Sequence, residues 1–319
     1  MSWSMRRGSA WLCAVALIGL TAAFAADSSA QTAKVETLAE YPPGSFLENL
    51  DVLPDGRIVF TNYFAKSIEM IDAGGKAKTF AKLSAHPVSI LAIDSGFIVA
   101  AHGQPFVSGP SFVETQQFFL LGKDGREISS FKTPEARFLN GMVRHRVGNV
   151  LVVDSIADAI WQVDPKARTL KTWLQDAALT QDPAVKDFRP GANGIKRRGN
   201  RLVVSNSSRG TLSTVSVGRN GAPSGPVTVL AQVGPIDDFV FGPSGEIIFT
   251  THGATLMRRS PNGEMTTLLA SGCYGCTAVA QTKSRQGADS LIVLTTGGLA
   301  EGGKDPARVL RLPYEGLTK

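Results

Sequence analysis

The chain has 319 residues, of which 43% are hydrophobic and 19% are charged, and its formal net charge is +6. This length and apolar content are enough for a sizeable buried core. No long run of Lys and Arg stands out, the longest being the three residues at 196–198, so the sequence offers no basic surface for a nucleic acid and we expect no such partner.

The N-terminal segment has the features of a secretory signal peptide. Arg6 and Arg7 precede an apolar run at 10–20, and the Ala-Phe-Ala sequence at 23–25 fits a cleavage site. The apolar run is too short to span a bilayer, so we expect no membrane partner after cleavage and a periplasmic or secreted protein. The predicted organisation is a signal peptide over 1–25, a polar linker over 26–32 and one domain over 33–319.

A pattern of a polar residue, an apolar run, a glycine turn and a second apolar run recurs along the chain. The copies lie at 45–62, 86–102, 138–155, 191–206 and 235–252. Repeats spaced by roughly 40–50 residues are typical of propellers and solenoids. Helix-period patterns are nearly absent, which favours an all-β fold.

Asp-Gly and Asn-Gly pairs, as at 124–125 and 220–221, predict the hairpins between the outer strands, because these tight turns need positive φ. The predicted units span about 46–83, 87–134, 137–176, 192–231, 235–270 and 277–313. An alternating strand at 33–41 is predicted to complete the last unit beside 307–313. The fold class is therefore an all-β, six-bladed β-propeller with four-stranded blades, and a repeat-built sandwich is the alternative.

Four polar residues occupy matching places in their repeats. Glu48, Asn140 and Asp237 each lie eight residues before a turn glycine, and Asn193 lies six residues before one. Equal offsets place side chains equivalently in successive blades, so we expect all four at the central channel. Their oxygens suit Ca²⁺, or Mg²⁺ with several waters, better than zinc or copper. The sequence predicts one divalent-cation site, with Ca²⁺ expected, although any one such residue alone would more often cap a turn.

The chain resembles the senescence-marker-protein/gluconolactonase family in the segments FLENLDVLPDGRIVFTN, LNGMVRHRVGNVLVVDS, ANGIKRRGNRLVVSN and IDDFVFGPSGEIIFTT. The resemblance covers most of residues 40–313. It implies that Glu48, Asn140, Asn193 and Asp237 hold one divalent ion and that the protein hydrolyses a lactone or related ester. Asp237 would be the catalytic base or nucleophile beside an ion that polarises the carbonyl, while Asn140 would be a ligand or a substrate contact.

The second acidic residue of the Asp-Asp pair leaves an ambiguity, and the eight-residue offset to Gly245 favours Asp237 over Asp238. A further departure is the sequence Glu48-Asn49-Leu50, where family lactonases often have Glu-Gly-Pro. This form and the ANGIKRR segment resemble a divergent branch that includes proteins likened to hetero-Diels–Alderases.

The leading hypothesis is therefore a secreted, metal-dependent hydrolase of a small-molecule lactone or ester. A non-catalytic periplasmic binding or scaffold propeller is one alternative, because the fold alone does not fix the function. A metal-independent, cyclase-like propeller is the other. The sequence does not indicate an oligomeric state.

Further candidates lie near the predicted channel mouth. His102 and His252 each follow the second strand of a repeat, where either a substrate contact or a turn-stabilising role is expected. Two Gly- and Pro-containing loops are predicted to roof the pocket, since propeller sites lie among variable loops. These loops carry Phe106 and Phe188, which are candidate substrate contacts, with ordinary loop packing as the alternative.

Cys273 and Cys276 form a closely spaced pair in SGCYGCTAVA. In an oxidising compartment this spacing favours a small-loop disulfide, with two buried thiols as the alternative. A thioredoxin-like redox pair is disfavoured because the chain lacks βαβ alternation, and zinc is disfavoured because no second ligand pair lies nearby.

Overall fold

The structure is a computed structural model that describes residues 35–106, 115–282, 289–299 and 302–314, with the backbone alone at Val147. The predicted signal peptide and linker lie outside the described residues. So does 107–114, which is most of the loop at 103–115 that is predicted to roof the pocket. Within these ranges no helix is long and apolar enough to cross a membrane.

The described strands form six sheets of four antiparallel strands, and each sheet is one blade. In blades one to five, strands that are consecutive in the chain pair side by side. Blades one to three consist of β2 (Leu47–Val52), β3 (Ile58–Asn62), β4 (Ser67–Ile71), β5 (Ala77–Lys82); β6 (His86–Ile93), β7 (Gly96–His102), β8 (Gln116–Leu121), β9 (Glu127–Lys132); β10 (Leu139–Arg144), β11 (Val150–Asp154), β12 (Ala159–Asp164) and β13 (Thr169–Gln175).

Blades four to six complete the fold. Their strands are β14 (Ala192–Arg198), β15 (Arg201–Asn206), β16 (Thr211–Val217), β17 (Pro223–Gln232); β18 (Phe239–Phe241), β19 (Ile247–Thr250), β20 (Leu256–Arg259), β21 (Met265–Leu269); and β22 (Cys276–Thr282), β23 (Ser290–Thr295), β24 (Ala307–Pro313). The predicted all-β, six-bladed propeller with four-stranded blades is confirmed.

The N-terminal strand closes the ring. The strand β1 (Glu36–Tyr41) pairs antiparallel with β24, so that Glu36 faces Arg311 and Tyr41 faces Ala307. Blade six therefore combines one strand from the beginning of the domain with three from its end, as the sequence predicted. This pairing covers the edge that β24 would otherwise expose.

The first strands of the blades surround the centre of the ring. Each contacts its counterpart in the next blade, in the order β2, β6, β10, β14, β18, β22 and again β2. In a propeller this closed circuit lines one central channel. Residues at the beginning of these strands therefore meet at one end of the channel.

The hairpins predicted from Asp-Gly and Asn-Gly pairs are present. Gly56, Gly125 and Gly221 have φ of 87°, 86° and 87°, in the left-handed region that side chains disfavour. Glycine is suited to these positions because it has no Cβ, and the turn geometry fixes the register of the flanking strands.

The hydrophobic core is divided among the blade interfaces. Among the described residues, the buried apolar side chains form six clusters. Five combine residues of two neighbouring blades, and one combines residues of blades one, two and three. Phe97 and Met70 belong to the cluster between blades one and two, for example. The blades therefore stabilise one another face to face, which keeps the channel strands in fixed relative positions.

Candidate functional site

The channel strands of blades one, three and four begin with the same irregularity. The first residue of each strand pairs with the last residue of the second strand, and a β-bulge follows at once. Glu48, Asn140 and Asn193 are the residues that directly follow these first pairs. Bulges re-aim side chains and are common next to active sites. Three of the four predicted ligands therefore occupy one equivalent position, as their register indicated.

Asp237 has the corresponding position in blade five. Phe239 pairs with Phe249 as Leu50 pairs with Phe60 in blade one, so Asp237 corresponds to Glu48. The Asp237 backbone N–H donates to Thr250 O at 2.8 Å, which continues the strand pairing towards the channel mouth.

The two consecutive aspartates have different partners. Asp237 Oδ1 accepts a hydrogen bond from Asn193 Nδ2 at 2.6 Å. Asp238 Oδ1 instead lies 2.7 Å from Lys196 Nζ, in a largely buried ion pair. Side chains alternate along a strand, so the two carboxylates diverge, and the structure brings Asp237 to the other predicted ligands.

Serine hydroxyls orient both asparagine amides. Ser155 Oγ donates to Ala192 O at 2.6 Å, so it can only accept from the Asn140 amide, whose Nδ2 lies 3.3 Å away. Asn193 Nδ2 donates to Ser207 Oγ at 2.9 Å and to Asp237. Both NH₂ groups are thereby committed, which leaves each Oδ1 as the atom that can accept from or coordinate a ligand.

Two carboxylate oxygens at this site are buried without a hydrogen-bond partner among the described residues: Glu48 Oε2 and Asp237 Oδ2. Burial raises the pKa of Glu48 well above its usual value, and the charges of Asp237 and Asp238 raise it further. Burial also raises the pKa of Asp237 to about 7, although His252 lowers it. These shifts follow from negative charge concentrated in an interior that lacks enough compensating positive charge.

The donor set fits a hard divalent cation. It offers two carboxylates and two amide oxygens, and both orphaned carboxylate oxygens would gain a partner. Among the described residues, no three or more His, Cys, Asp or Glu side chains cluster as a metal site, so this set depends on its two asparagines.

His252 lies beside the predicted ligands. Its Nδ1 is 3.5 Å from Asp237 Oδ2, which is close for an ion pair but too long for a good hydrogen bond. Its φ is 63°, a left-handed conformation that residues other than glycine rarely adopt. Such backbone strain is concentrated at functional sites. The structure therefore places His252 on the pocket wall, beside the predicted catalytic carboxylate.

His102 does not line the pocket, and its predicted role as a substrate contact requires correction. It is fully buried, its Nε2 donates to Leu139 O at 3.0 Å, and its Nδ1 accepts from Tyr63 OH at 2.9 Å. It is the last residue of β7 and pairs with His86, so it matches Asn62 rather than Tyr63 of blade one. Its two hydrogen bonds join blade two to blades one and three, so its role is structural but differs from the turn stabilisation that was the alternative.

A cavity of about 420 Å³ opens above the predicted ligands. Glu48, Asn140 and Asn193 lie on its wall, and Asp237 contacts two wall residues, Asn193 and His252. Phe106 and Phe188 also line the cavity, where the sequence predicted substrate contacts.

Other wall residues were not recognised in the sequence. Phe46 and Phe138 precede their channel strands by one residue, while Tyr63 and Ser207 directly follow the second strands of their blades. Their positions repeat from blade to blade, so the same register that identified the ligands could have identified these neighbours.

The structure joins Cys273 and Cys276 by a disulfide, and both residues are fully buried. The adjoining backbone contacts the site: His252 N–H donates to Cys276 O at 3.0 Å, and Cys276 N–H donates to Gly253 O at 3.1 Å. The cysteine pair thus supports the segment that carries His252.

Known proteins share this fold. No family model matches the chain, and no curated protein matches its sequence. A luciferin-regenerating enzyme matches with a TM-score of 0.65 and 13% identity, over 88% of this chain and 95% of the other. Regucalcin from Agrobacterium tumefaciens, a calcium-binding protein, matches with a TM-score of 0.63 and 14% identity, over 88% of this chain and 93% of the other. A gluconolactonase from Xanthomonas campestris matches with a TM-score of 0.62 and 13% identity, over 88% of this chain and 89% of the other.

At these identities the similarity establishes the architecture. The chain therefore has the propeller fold of the regucalcin and gluconolactonase structures, and the resemblance seen in its sequence segments is confirmed at the level of the fold.

Proposed function

We propose that this protein is a divalent-cation-dependent hydrolase that acts on a lactone or related ester. The observation that carries the proposal is a pair of buried oxygens, Glu48 Oε2 and Asp237 Oδ2, that have no hydrogen-bond partner among the described residues and lie next to a cavity of small-molecule size. A buried carboxylate without a partner is costly, so a protein retains two of them together only where a ligand compensates them.

Glu48, Asn140, Asn193 and Asp237 would hold the cation, and Ca²⁺ is the ion that their oxygens suit best. A bound cation would supply the positive charge that polarises an ester carbonyl and stabilises the developing oxyanion. The resemblance to the regucalcin and gluconolactonase structures supports this choice of chemistry.

Asp237 is the residue we assign to proton transfer. Its Oδ1 is held by Asn193. Its Oδ2, 3.5 Å from His252 Nδ1, has two lone pairs, so one would face the cation and the other would accept a proton from an attacking water. His252 can then stabilise or relay that proton at the cavity wall. Asn140, fixed through its Nδ2 by Ser155, would orient the substrate or complete the donor set.

The location of the mature protein is part of the proposal. Its N-terminal sequence supports export to the periplasm or the medium. A disulfide between Cys273 and Cys276 agrees with an oxidising compartment.

The decisive experiment compares calcium binding by the mature, chelator-treated protein with binding by Asp237→Asn and Asp238→Asn variants, using calorimetry. Asp237→Asn retains the side-chain shape but removes the charge, and we expect it to weaken binding by at least about 100-fold. Asp238→Asn is the matched control, because its carboxylate pairs with Lys196, and it should retain one-to-one binding.

Hydrolysis of a lactone panel is then measured with and without calcium. Loss of activity on chelation, and its absence in Asp237→Asn, is the expected result. Failure of the intact protein to bind any divalent cation would reject the hydrolytic mechanism and leave a binding propeller or a metal-independent enzyme.

A further inference from the structure

The wall of the cavity is unusually aromatic. Beyond the predicted ligands, the rings that line it are Phe46, Tyr63, Phe106, Phe138 and Phe188. They form a continuous series of contacts: the ring centroids of Phe46 and Phe106 are 5.5 Å apart, and those of Tyr63 and Phe106 are 4.9 Å apart. Val88 and Ile236 add aliphatic surface to the same wall.

The series of rings extends from the interior to the entrance. Phe138 is 4% exposed, and Phe188, which stacks on it with centroids 5.5 Å apart, is 49% exposed. An apolar group of a ligand would therefore meet aromatic surface along its whole path from the rim to the cation ligands.

Two hydroxyl groups of the described wall, those of Tyr63 and Thr251, are already bonded within the protein. Tyr63 OH accepts from the Phe106 backbone N–H at 3.1 Å and donates to His102 Nδ1. The direction of the second bond follows from the histidine, whose Nε2 carries its proton to Leu139 O. Thr251 Oγ1 is bonded to both oxygens of Thr255, the carbonyl at 3.0 Å and the hydroxyl at 2.9 Å.

The remaining polar wall residues are few. Ser207 Oγ accepts from Asn193 Nδ2 and keeps its own proton to donate, His252 lies beside Asp237, and Arg189 is exposed at the rim. Among the described residues, the part of the wall above the predicted cation thus offers few hydrogen-bond partners for hydroxyl groups, chiefly Ser207 and the Arg189 side chain at the rim.

We infer that the substrate is a hydrophobic, ring-bearing lactone or ester and not a sugar lactone. This inference rests on the proposed function for the ester chemistry and on the aromatic wall for the substrate class. A polyhydroxylated lactone would replace only a few of the hydrogen bonds to water that it loses, which disfavours it. An aryl or alkyl group gains both apolar burial and offset ring contacts.

The first test measures binding rather than turnover. Calorimetry with the calcium-loaded protein compares 3-(2-hydroxyphenyl)propionate, the hydrolysis product of dihydrocoumarin, with gluconate, the hydrolysis product of gluconolactone. Both carry one carboxylate, so their difference reports the organic group. We expect the aryl acid to bind at least about 10-fold more tightly, and equal or tighter binding of gluconate would overturn the inference.

A rim variant locates the binding surface. Phe188→Ala removes a half-exposed ring, and we expect it to weaken aryl-acid binding by about 3- to 10-fold, the range of one aromatic contact. Tyr274→Ala removes an exposed aromatic side chain that does not line the cavity and should leave aryl-acid binding unaltered. Equal effects of both substitutions, or none from Phe188→Ala, would reject the aromatic wall as the binding surface.

Turnover separates this inference from the proposed function. The rates of dihydrocoumarin and gluconolactone hydrolysis are compared as kcat/KM. Preferred cleavage of gluconolactone would overturn the substrate class while sustaining the hydrolase. Selective binding of the aryl acid without cleavage of either lactone would overturn the hydrolase while sustaining the hydrophobic ligand.

Discussion

At the scale of single residues, burial decides which polar groups are structural and which are available for chemistry. His102 is buried with both ring nitrogens bonded, and burial lowers its pKa to about 4. Asp237 is also buried and Glu48 is partly buried, but each has a buried carboxylate oxygen without a hydrogen-bond partner among the described residues. His102 is therefore a structural part of the core, whereas Glu48 and Asp237 each have an oxygen available to a ligand.

The buried imidazole predicts a pH dependence of stability. Because the pKa of His102 is lowered from 6.5 to about 4 in the folded state, the unfolded state binds more protons between those values. Its contribution to the free energy of unfolding is fully present above about pH 6.5 and is lost as the pH falls towards 4. The whole loss is about 3 kcal/mol.

Denaturant unfolding of the wild type and of His102→Gln, from pH 7.5 to 4.5, measures this term. The variant should be less stable at pH 7.5 because it lacks a buried ring. The difference in unfolding free energy between wild type and variant should then narrow by about 2–3 kcal/mol on acidification. A gap that stays constant with pH would show that His102 does not remain neutral in the folded protein.

At the scale of the element, the bulge at the start of a channel strand is the unit that builds the site. In blades three and four, a glycine directly follows the asparagine, and the neighbouring blade packs against it. A Cβ on Gly141 would collide with the backbone carbonyl of Asn193, and a Cβ on Gly194 would collide with the Asp238 carboxylate. These glycines thus permit the close approach that brings Asn140 and Asn193 together.

We therefore predict that Gly141→Ala disturbs both stability and the site. The added methyl group forces the channel strands of blades three and four apart, which costs about 1–3 kcal/mol of unfolding free energy. Calcium affinity should also fall, because the displaced strand of blade four carries the predicted ligand Asn193. Thermal unfolding and calorimetry measure the two effects.

Gly74→Ala is the matched control for this prediction. Gly74 lies in an outer turn, where its added Cβ would meet only the Asp72 side chain, at 3.3 Å. It should change stability by less than about 1 kcal/mol and leave calcium binding unaltered. Equal calcium affinity in Gly141→Ala and the wild type would disprove the role of this close approach.

At the scale of the whole molecule, closure of the ring by β1 holds the channel strands in their circle. Without β1, the strand β24 would be an exposed edge, and blade six would lose its outer strand. The hydrophobic clusters between blade six and its neighbours would then pack against a blade of three strands.

Deletion of residues 1–41 is predicted to lower the melting temperature by roughly 10 °C and to promote association through β24. Deletion of residues 1–34, which retains β1, is the control and should leave the melting temperature unaltered. Differential scanning calorimetry and size-exclusion chromatography make the comparison. Equal melting temperatures would show that closure by β1 contributes little.

The sequence determined the architecture and the positions of the predicted ligands, because both follow from local register. Turn glycines fix the hairpins, and the offset from turn to polar residue places Glu48, Asn140 and Asp237 equivalently. The strand that closes the ring was also predictable, since alternation reveals a strand wherever its partner lies.

Only the tertiary structure decided the finer chemistry. His102 and His252 look alike in the sequence, yet a shift of one residue buries the first in the core and places the second on the cavity wall. The aromatic wall likewise combines residues from several blades, and the commitment of the Tyr63 hydroxyl depends on partners 39 and 43 residues away. Side-chain burial and hydrogen bonding between blades are long-range properties, and no local pattern encodes them.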